Sequence, residues 1–361
     1  MQNNHLYWMD MAIELARKGV GVVSPNPPVG AVLVKNGKCI AKGYHKKAGR
    51  AHAEIEAIHR AKQKAKGCDL YVTLEPCSTQ GKTGACTDAI IKAGIKRVFV
   101  ACLDPNPEHY HKAKAILEAK GIDYESGIAE EYAEPLLRHF ATSVQKKKPF
   151  ITLKAAQTLD GKLATSKGDS QWVTSPLARK QAHKLRYEHD AVLVGMNTIQ
   201  RDNPSLDVRL IDKQKHVTKI VLDSHLRIKP TAKVFKSPGP VIVATCSTKK
   251  SKSLEKFKKL TILRIKANNG RIDLRALLKA LHELGIQSVL VEGGGEVHAD
   301  FMQRGLADAF YWFIAPKFLG GKDSISAIGG KNPTLMKQAK DLCIEGIDAF
   351  GPDLAIHGLI I

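Results

Sequence analysis

Apolar positions recur along this chain at two periods, and the switching between them predicts alternating helices and strands. Leu6, Met9, Ile13 and Ala16 fall on one helical face, and Gly19 follows as a stop. Residues 29–34 and 40–44 read as strands paired across the Lys35-Asn36-Gly37 turn. A helix over 52–65, a strand over 70–74, a helix over 87–93, a strand over 98–102 and a helix over 113–119 continue the series. This is the pattern of a layered α/β domain.

From Ala141 the apolar period lapses into Lys146-Lys147-Lys148-Pro149, so 146–149 is the expected linker between domains at 1–145 and 150–361. A second α/β run follows. Strands are expected at 150–155, 191–195, 220–222, 241–244 and 288–291. Helices fit 176–188, with Ser175 as N-cap and Pro176 at the first position, and 273–284 and 297–304. A strand over 309–315 closes the series.

Composition changes this picture in two respects. The formal charge is +21, with 23 basic and 15 acidic residues up to Lys148 and 33 against 20 beyond it. A basic excess shared by both halves fits steering of small anionic ligands or a solvated basic surface better than a nucleic-acid-binding tail. No stretch approaches the roughly 20 apolar residues of a membrane span, and the first ten residues lack the pattern of a secretory signal. The seven cysteines are odd in number and irregular in spacing, which argues for free thiols in a reducing, cytoplasmic setting. Only Cys77 and Cys86 lie among polar and glycine residues; the other five read as core thiols.

Those two cysteines belong to a set that carries chemistry. His52-Ala53-Glu54 opens a predicted helix, Glu75-Pro76-Cys77 follows a strand, and Cys86 opens the next helix. One imidazole and two thiolates suit zinc with a fourth position left for water, whose pKa the metal lowers to about 7. Placement near helix starts would stabilise the thiolates. Glu54 is two residues from a ligand and is the expected proton carrier. A closed structural site would need a fourth protein ligand, for which His45 and His59 are the nearest candidates. Asn26, held between Pro25 and Pro27, is placed to read the edge of a heterocycle.

These residues resemble the bifunctional riboflavin-biosynthesis deaminase/reductase family over nearly the whole chain. The first-half motifs are Pro25-Asn26-Pro27 with Val29-Gly30, His52-Ala53-Glu54, Thr73-Leu74-Glu75-Pro76-Cys77 with eight residues before Cys86, and Asp104-Pro105-Asn106-Pro107. The second half adds Thr158-Leu159-Asp160-Gly161-Lys162, Gly168-Asp169-Ser170-Gln171-Trp172, Asp202-Asn203-Pro204 and Glu292-Gly293-Gly294-Gly295. The resemblance implies a cytidine-deaminase-like α/β/α domain followed by a dihydrofolate-reductase-like α/β domain. It implies zinc-dependent deamination of a diamino-pyrimidinone ribosylamine 5′-phosphate, then NADPH-dependent reduction of ribosyl to ribityl, in a homo-oligomer that takes no nucleic acid. It carries substrate contact to Lys154, Ser170, Arg186, Asp202, Leu206, Arg209 and Glu292. Cofactor contact falls to Ala156, Trp172, Thr198, Ser224 and Gly293 to Gly295. The chain departs from the family at Thr79, Lys82, Gly84 and Ala85, and over His109-Tyr110-His111-Lys112-Ala113, which bears on how the deaminase grips the ribose phosphate.

Taken alone, the second half says less. Its glycine run is a strand-to-helix turn that can present N–H groups to a phosphate or be a plain tight turn. Trp172 reads equally as a core aromatic, and Arg186 and Arg209 as surface residues. The charge with the His-x-Glu/Cys/Cys set also admits a nucleic-acid deaminase, against which stand the long cysteine gap and the large second domain. The departures admit a binding protein with a degenerate site, against which stands the intact Glu54.

Overall fold

A computed structural model describes residues 5–79, 84–331 and 333–361. The chain divides into two compact units, Met1–Lys148 and Pro149–Ile361. The first is built on five strands, β1 (Gly30–Lys35), β2 (Lys38–Tyr44), β3 (Asp69–Leu74), β4 (Arg97–Cys102) and β5 (Asp123–Ser126), in the order β2-β1-β3-β4-β5. β1 is antiparallel to both its neighbours, whereas β3, β4 and β5 are parallel. Its helices are α1 (His5–Arg17), α2 (Ala53–Ala61), α3 (Cys86–Lys92), α4 (Lys112–Glu118) and α5 (Glu130–Lys146).

Strand side chains alternate between two cores, as a period of two requires. Ala31, Leu33, Val98 and Val100 pack against α2, α3 and α4; Val32, Val34, Phe99 and Ala101 pack against α1 and α5. The unit is therefore a three-layer α/β/α sandwich. α1 approaches β1 closely because position 30 is glycine: a Cβ there would stand 2.0 Å from the Ala12 carbonyl oxygen.

The expected linker needs correction at its start. α5 runs through Ala141 to Lys146, so 147–149 alone join the units. The apolar period lapses there because the inner face of the last turns buries Thr142 and Ser143 in place of large apolar residues.

The second unit contains β6 (Phe150–Thr158), β7 (Lys162–Ala164), β8 (Ala191–Gly195), β9 (Thr218–Leu222), β10 (Val241–Thr245) and β11 (Leu260–Arg264). After these come β12 (Ala267–Asn268), β13 (Arg271–Ile272), β14 (Ser288–Val291), β15 (Ala309–Ala315), β16 (Ile325–Ser326), β17 (Leu342–Phe350) and β18 (Asp353–Ile360). Nine form one sheet, β11-β10-β9-β8-β14-β6-β15-β18-β17. β11 to β15 in that order are mutually parallel; β18 and β17 add an antiparallel edge. Helices α6 (Pro176–Glu188), α7 (Met196–Asp202), α8 (Lys252–Glu255), α9 (Leu274–Glu283) and α10 (Gly295–Gln303) complete the unit. α6 packs on one face with Val192, Val194 and Leu290; α9 and α10 cover the other with Leu193, Val289 and Val291. Burial on both faces is why these strands read as continuous apolar runs.

Ser175 caps α6 as expected, its side chain accepting the Ala178 N–H at 3.4 Å, and Asp273 caps α9 through Arg275 and Ala276. The strand series does not close at Ala315, however. β17 and β18 follow, and no residue of β17 is buried, so its apolar positions Ile344 and Ile347 trace no buried face. Exposed Cys343 on this strand is likewise not a core thiol; Cys68 and Cys102 are buried, Cys39 and Cys246 half-buried, and all seven are free.

Candidate active sites

Three elements of the first unit converge on one point. His52 is the N-cap of α2, Cys86 is the first residue of α3, and Cys77 lies in the loop after β3. His52 Nδ1 stands 3.3 Å from Cys86 Sγ and 3.6 Å from Cys77 Sγ. Tetrahedral zinc, with bonds of about 2.3 Å to sulfur and 2.0–2.1 Å to nitrogen, asks for separations of about 3.5–3.8 Å between such ligands. The donor set fits. Cys77 is not itself on a helix; its sulfur reaches the start of α3 by accepting the Cys86 N–H at 3.4 Å. The Cys86 thiol, that N–H and the His52 ring hold Cys77 down at about 4, while the bond to Cys77 and burial push Cys86 up.

Glu54, 3% exposed, lines the same cavity of about 260 Å³ as His52 and Cys77. Burial raises its pKa above the usual carboxylate range, against the pull of His52. His45 is no spare ligand: its Nδ1 donates to the Ala51 carbonyl and its Nε2 accepts from Asn26 Nδ2, each at 3.0 Å. Burial lowers its pKa, in the direction of the neutral ring that this bonding pattern needs. The Asn26 amide at the cavity wall is oriented by that bond. His59 is exposed on the outer side of α2.

Asp104, Asn106, His109 and Phe140 also line the cavity; the sequence marks the first two as part of a motif and His109 as the start of a departing stretch, and assigns no contact to any of them. The Asp-Pro-Asn-Pro turn at the end of β4 was the available signal; Phe140 continues the apolar spacing of Ala133, Leu136 and Leu137 on α5, to which the sequence reading assigned no element. Glu75 fixes the loop by accepting the N–H groups of Asp104, His111 and Ala113 at 3.0–3.2 Å. Thr79 and Gly84 are exposed, Ala85 is the buried N-cap of α3, and Lys82 lies outside the described residues.

In the second unit a cavity of about 750 Å³ opens at the carboxyl ends of β8, β9 and β14, where open α/β sheets bind ligands. Ser170, Thr198, Asp202, Ser224 and Glu292 to Gly295 line it. The glycine run leads directly into α10, so N–H groups at the helix start face the site. A Cβ at Gly295 would meet the Ser326 oxygen at 2.4 Å, which explains why the approach of 325–330 demands glycine.

Glu292 anchors a buried ionic cluster. Arg186 Nε and Nη2 donate to its two oxygens at 2.6 and 2.9 Å, and Lys154 Nζ lies 3.9 Å away. Arg186 is therefore not a surface residue. Burial alone would raise Glu292, but Arg186 and Lys154 bring it to about 2. Burial lowers the Lys154 ammonium, and Glu292 only partly opposes this.

Other expected contacts are placed differently. Trp172 is 62% exposed, not a core aromatic, with the Arg179 guanidinium 4.3 Å from its ring centre. The Leu206 side chain is buried in the core, so its backbone alone can meet a ligand. Arg209 is exposed and pairs with Asp207. Ala156 lies half-buried on β6. Arg201, Arg227 and Arg271 line the cavity and had no sequence signal beyond their charge.

Known proteins share both halves of this arrangement. The family model described as RibD C-terminal domain matches residues 149–356. That described as cytidine and deoxycytidylate deaminase zinc-binding region matches 2–102. The riboflavin biosynthesis protein RibD of Aquifex aeolicus is 44% identical over 352 residues, covering 97% of this chain and 96% of that one. The RibD structure from Acinetobacter baumannii aligns with a TM-score of 0.89 at 32% identity over 99% of each chain. A Thermotoga maritima structure titled as a diaminohydroxyphosphoribosylaminopyrimidine deaminase/5-amino-6-(5-phosphoribosylamino)uracil reductase aligns at 0.86 with 35% identity over 99% of each chain. No helix among the described residues is long and apolar enough to cross a membrane. With a zinc-binding deaminase of cytidine-deaminase-like fold joined to an NADPH-dependent reductase of dihydrofolate-reductase-like fold, the chain belongs to the RibD family of bifunctional riboflavin-biosynthesis enzymes.

Proposed function

We propose that the first unit hydrolytically deaminates a diamino-pyrimidinone ribosylamine 5′-phosphate and that the second reduces the product's ribosyl group to ribityl. The observation that carries this reading is the buried Glu54 sharing one cavity with the His52/Cys77/Cys86 donor set. Zinc on those donors supplies the Lewis acidity that activates water at neutral pH. Glu54 takes the proton of the attacking water and returns it to the amino group, which leaves as ammonia as the ring carbon gains its carbonyl oxygen. Asn26, held by neutral His45, fixes the pyrimidine edge.

In the second unit NADPH supplies the hydride. Ser224, Thr198 and the Gly293–Gly295 turn hold the cofactor, with Trp172 and Ala156 beside it; Ser170, Asp202, Arg209 and the Leu206 backbone hold the substrate. Glu292 at about 2 stays ionised as the partner of Arg186 and carries no proton at neutral pH. Lys154, with its pKa lowered by burial, is the better donor for opening the sugar ring.

The protein takes small phosphorylated ligands rather than nucleic acid and works in the cytoplasm as a homo-oligomer. Free thiols support the compartment. The long edge strand β17, with Ile344 and Ile347 exposed, supports self-association. The deciding experiment incubates the zinc-loaded enzyme with the pyrimidine substrate, with and without NADPH, and weighs the products. A mass change of amino to carbonyl without NADPH, then a gain of two hydrogens with it, is expected. An unchanged substrate sinks the reading.

A further inference from the structure

A third cavity, of about 450 Å³, lies at the amino ends of β10 and β11, the end of the sheet opposite the reductase cavity. Strands of five residues put roughly 17 Å between the two ends. Among the described residues its walls carry Lys236, Lys256, Lys258 and Lys259 and no acidic side chain. None of these four lysines enters an ion pair among the described residues. Two half-buried aromatic rings, Phe235 and Phe257, stack at 4.4 Å between centroids and 17° between planes, and the Lys256 ammonium lies 5.4 Å from the Phe257 ring.

Behind the cavity stands Lys219, fully buried, a costly place for a cation unless it is well bonded. Its Nζ donates to the Val234, Ser237 and Pro238 carbonyls and to Ser237 Oγ at 2.8–3.0 Å. The loop before β10 is thereby pinned with carbonyls inward. Because a trans peptide sets C=O and N–H in opposite directions, the Gly239 N–H points away from Lys219. Gly239 lines the cavity, and its N–H takes no protein acceptor among the described residues. A backbone donor and four exposed lysines free of ion pairs thus line one concavity, a donor set suited to an anion.

We propose that this cavity is a binding site, separate from both active sites, for a small phosphorylated molecule bearing a planar heterocycle. The lysines and the Gly239 N–H hold the phosphoryl groups, and the Phe235–Phe257 pair with Lys256 receives the ring. The volume suits one small ligand. A surface that tracks single-stranded nucleic acid repeats its aromatic platforms along a groove, and here there is one pair. The site also gives part of the basic excess of the second half a use outside the catalytic cavities.

The test is calorimetry on the full chain with one equivalent of NADP⁺ to fill the reductase cavity and ADP as the probe. One further ADP per chain is expected to bind, at least about tenfold more weakly in K256Q/K258Q/K259Q, with NADP⁺ affinity and both turnovers unchanged. Phe257→Leu should weaken ADP more than inorganic pyrophosphate. The proposal falls if ADP binding is absent or equal in the lysine variant, if pyrophosphate binds as tightly as ADP, or if a 20-nucleotide oligouridylate binds far more tightly than ADP and loses that binding in the same variant.

Discussion

Glu54 and Glu292 are both buried glutamates, and their surroundings send them in opposite directions. Burial raises Glu54 against the pull of one histidine; Glu292, likewise buried, meets a bidentate arginine and a lysine and falls to about 2. One glutamate is thereby lifted above the ordinary carboxylate range and the other is held ionised, the divergence by which one fold assigns proton carriers and fixed charges. Glu54→Gln should keep zinc, read by metal analysis, and lower deamination by about 10²-fold or more while reduction of deaminated substrate continues. Near-normal deamination would move the proton to another group. His109 is a second residue-scale case. It lines the deaminase cavity, and its buried Nδ1 has no partner among the described residues. As a substrate contact replaced by alanine, it should raise KM several-fold with kcat little changed; loss of kcat at constant KM would exclude that role. The ligands and Glu54 were legible in the sequence because their chemistry is written in residue type and short spacing. Asp104 and His109 were legible only as a motif and a departure from it, and Phe140 not at all, since folding alone brings the end of β4 and the middle of α5 to one cavity.

Elements show the same division. α6 and α9 were legible because each begins with a side chain that caps it and then buries an apolar stripe. Ser175 does more than cap. Its N–H donates to Asp353 at 2.6 Å and its Oγ to the Phe350 carbonyl at 3.1 Å, tying the start of α6 to the turn between β17 and β18. Ser175→Ala should therefore cost about 1–2 kcal/mol in urea unfolding of the second unit, the loss of a cap plus a hydrogen bond. A change within a few tenths of a kcal/mol would mean the contact adds no net stability. α5 and β17 went unread for different reasons. α5 carries an ordinary apolar stripe through Ala133, Leu136 and Leu137 and is obscured only in its last turns, where Thr142 and Ser143 are buried in place of leucine, whereas β17 exposes isoleucine where the pattern looks for burial. Hydrophobic periodicity reports faces that meet a core within one chain, and β17 has none.

For the whole molecule, each unit owns its core clusters, and residues 147–149 are all that separates the end of α5 from β6. The zinc donors all lie in the first unit, and the 750 Å³ cavity and the Lys154–Arg186–Glu292 cluster all lie in the second. A fragment from Pro149 to Ile361 should consequently fold without zinc, bind NADPH and reduce the deaminated intermediate. In the full chain, chelation should abolish only the first step. The nine-stranded sheet is covered on both faces by its own helices, so the fragment has a core sufficient for cooperative unfolding. The β17 edge is the exposed apolar strand most prone to pairing, and the fragment should run as an oligomer through it. Calorimetry with NADPH on the folded fragment decides the point: micromolar binding with turnover of the intermediate supports independent function. A cooperatively folded fragment that binds no NADPH would show that the cofactor site is not contained within 149–361.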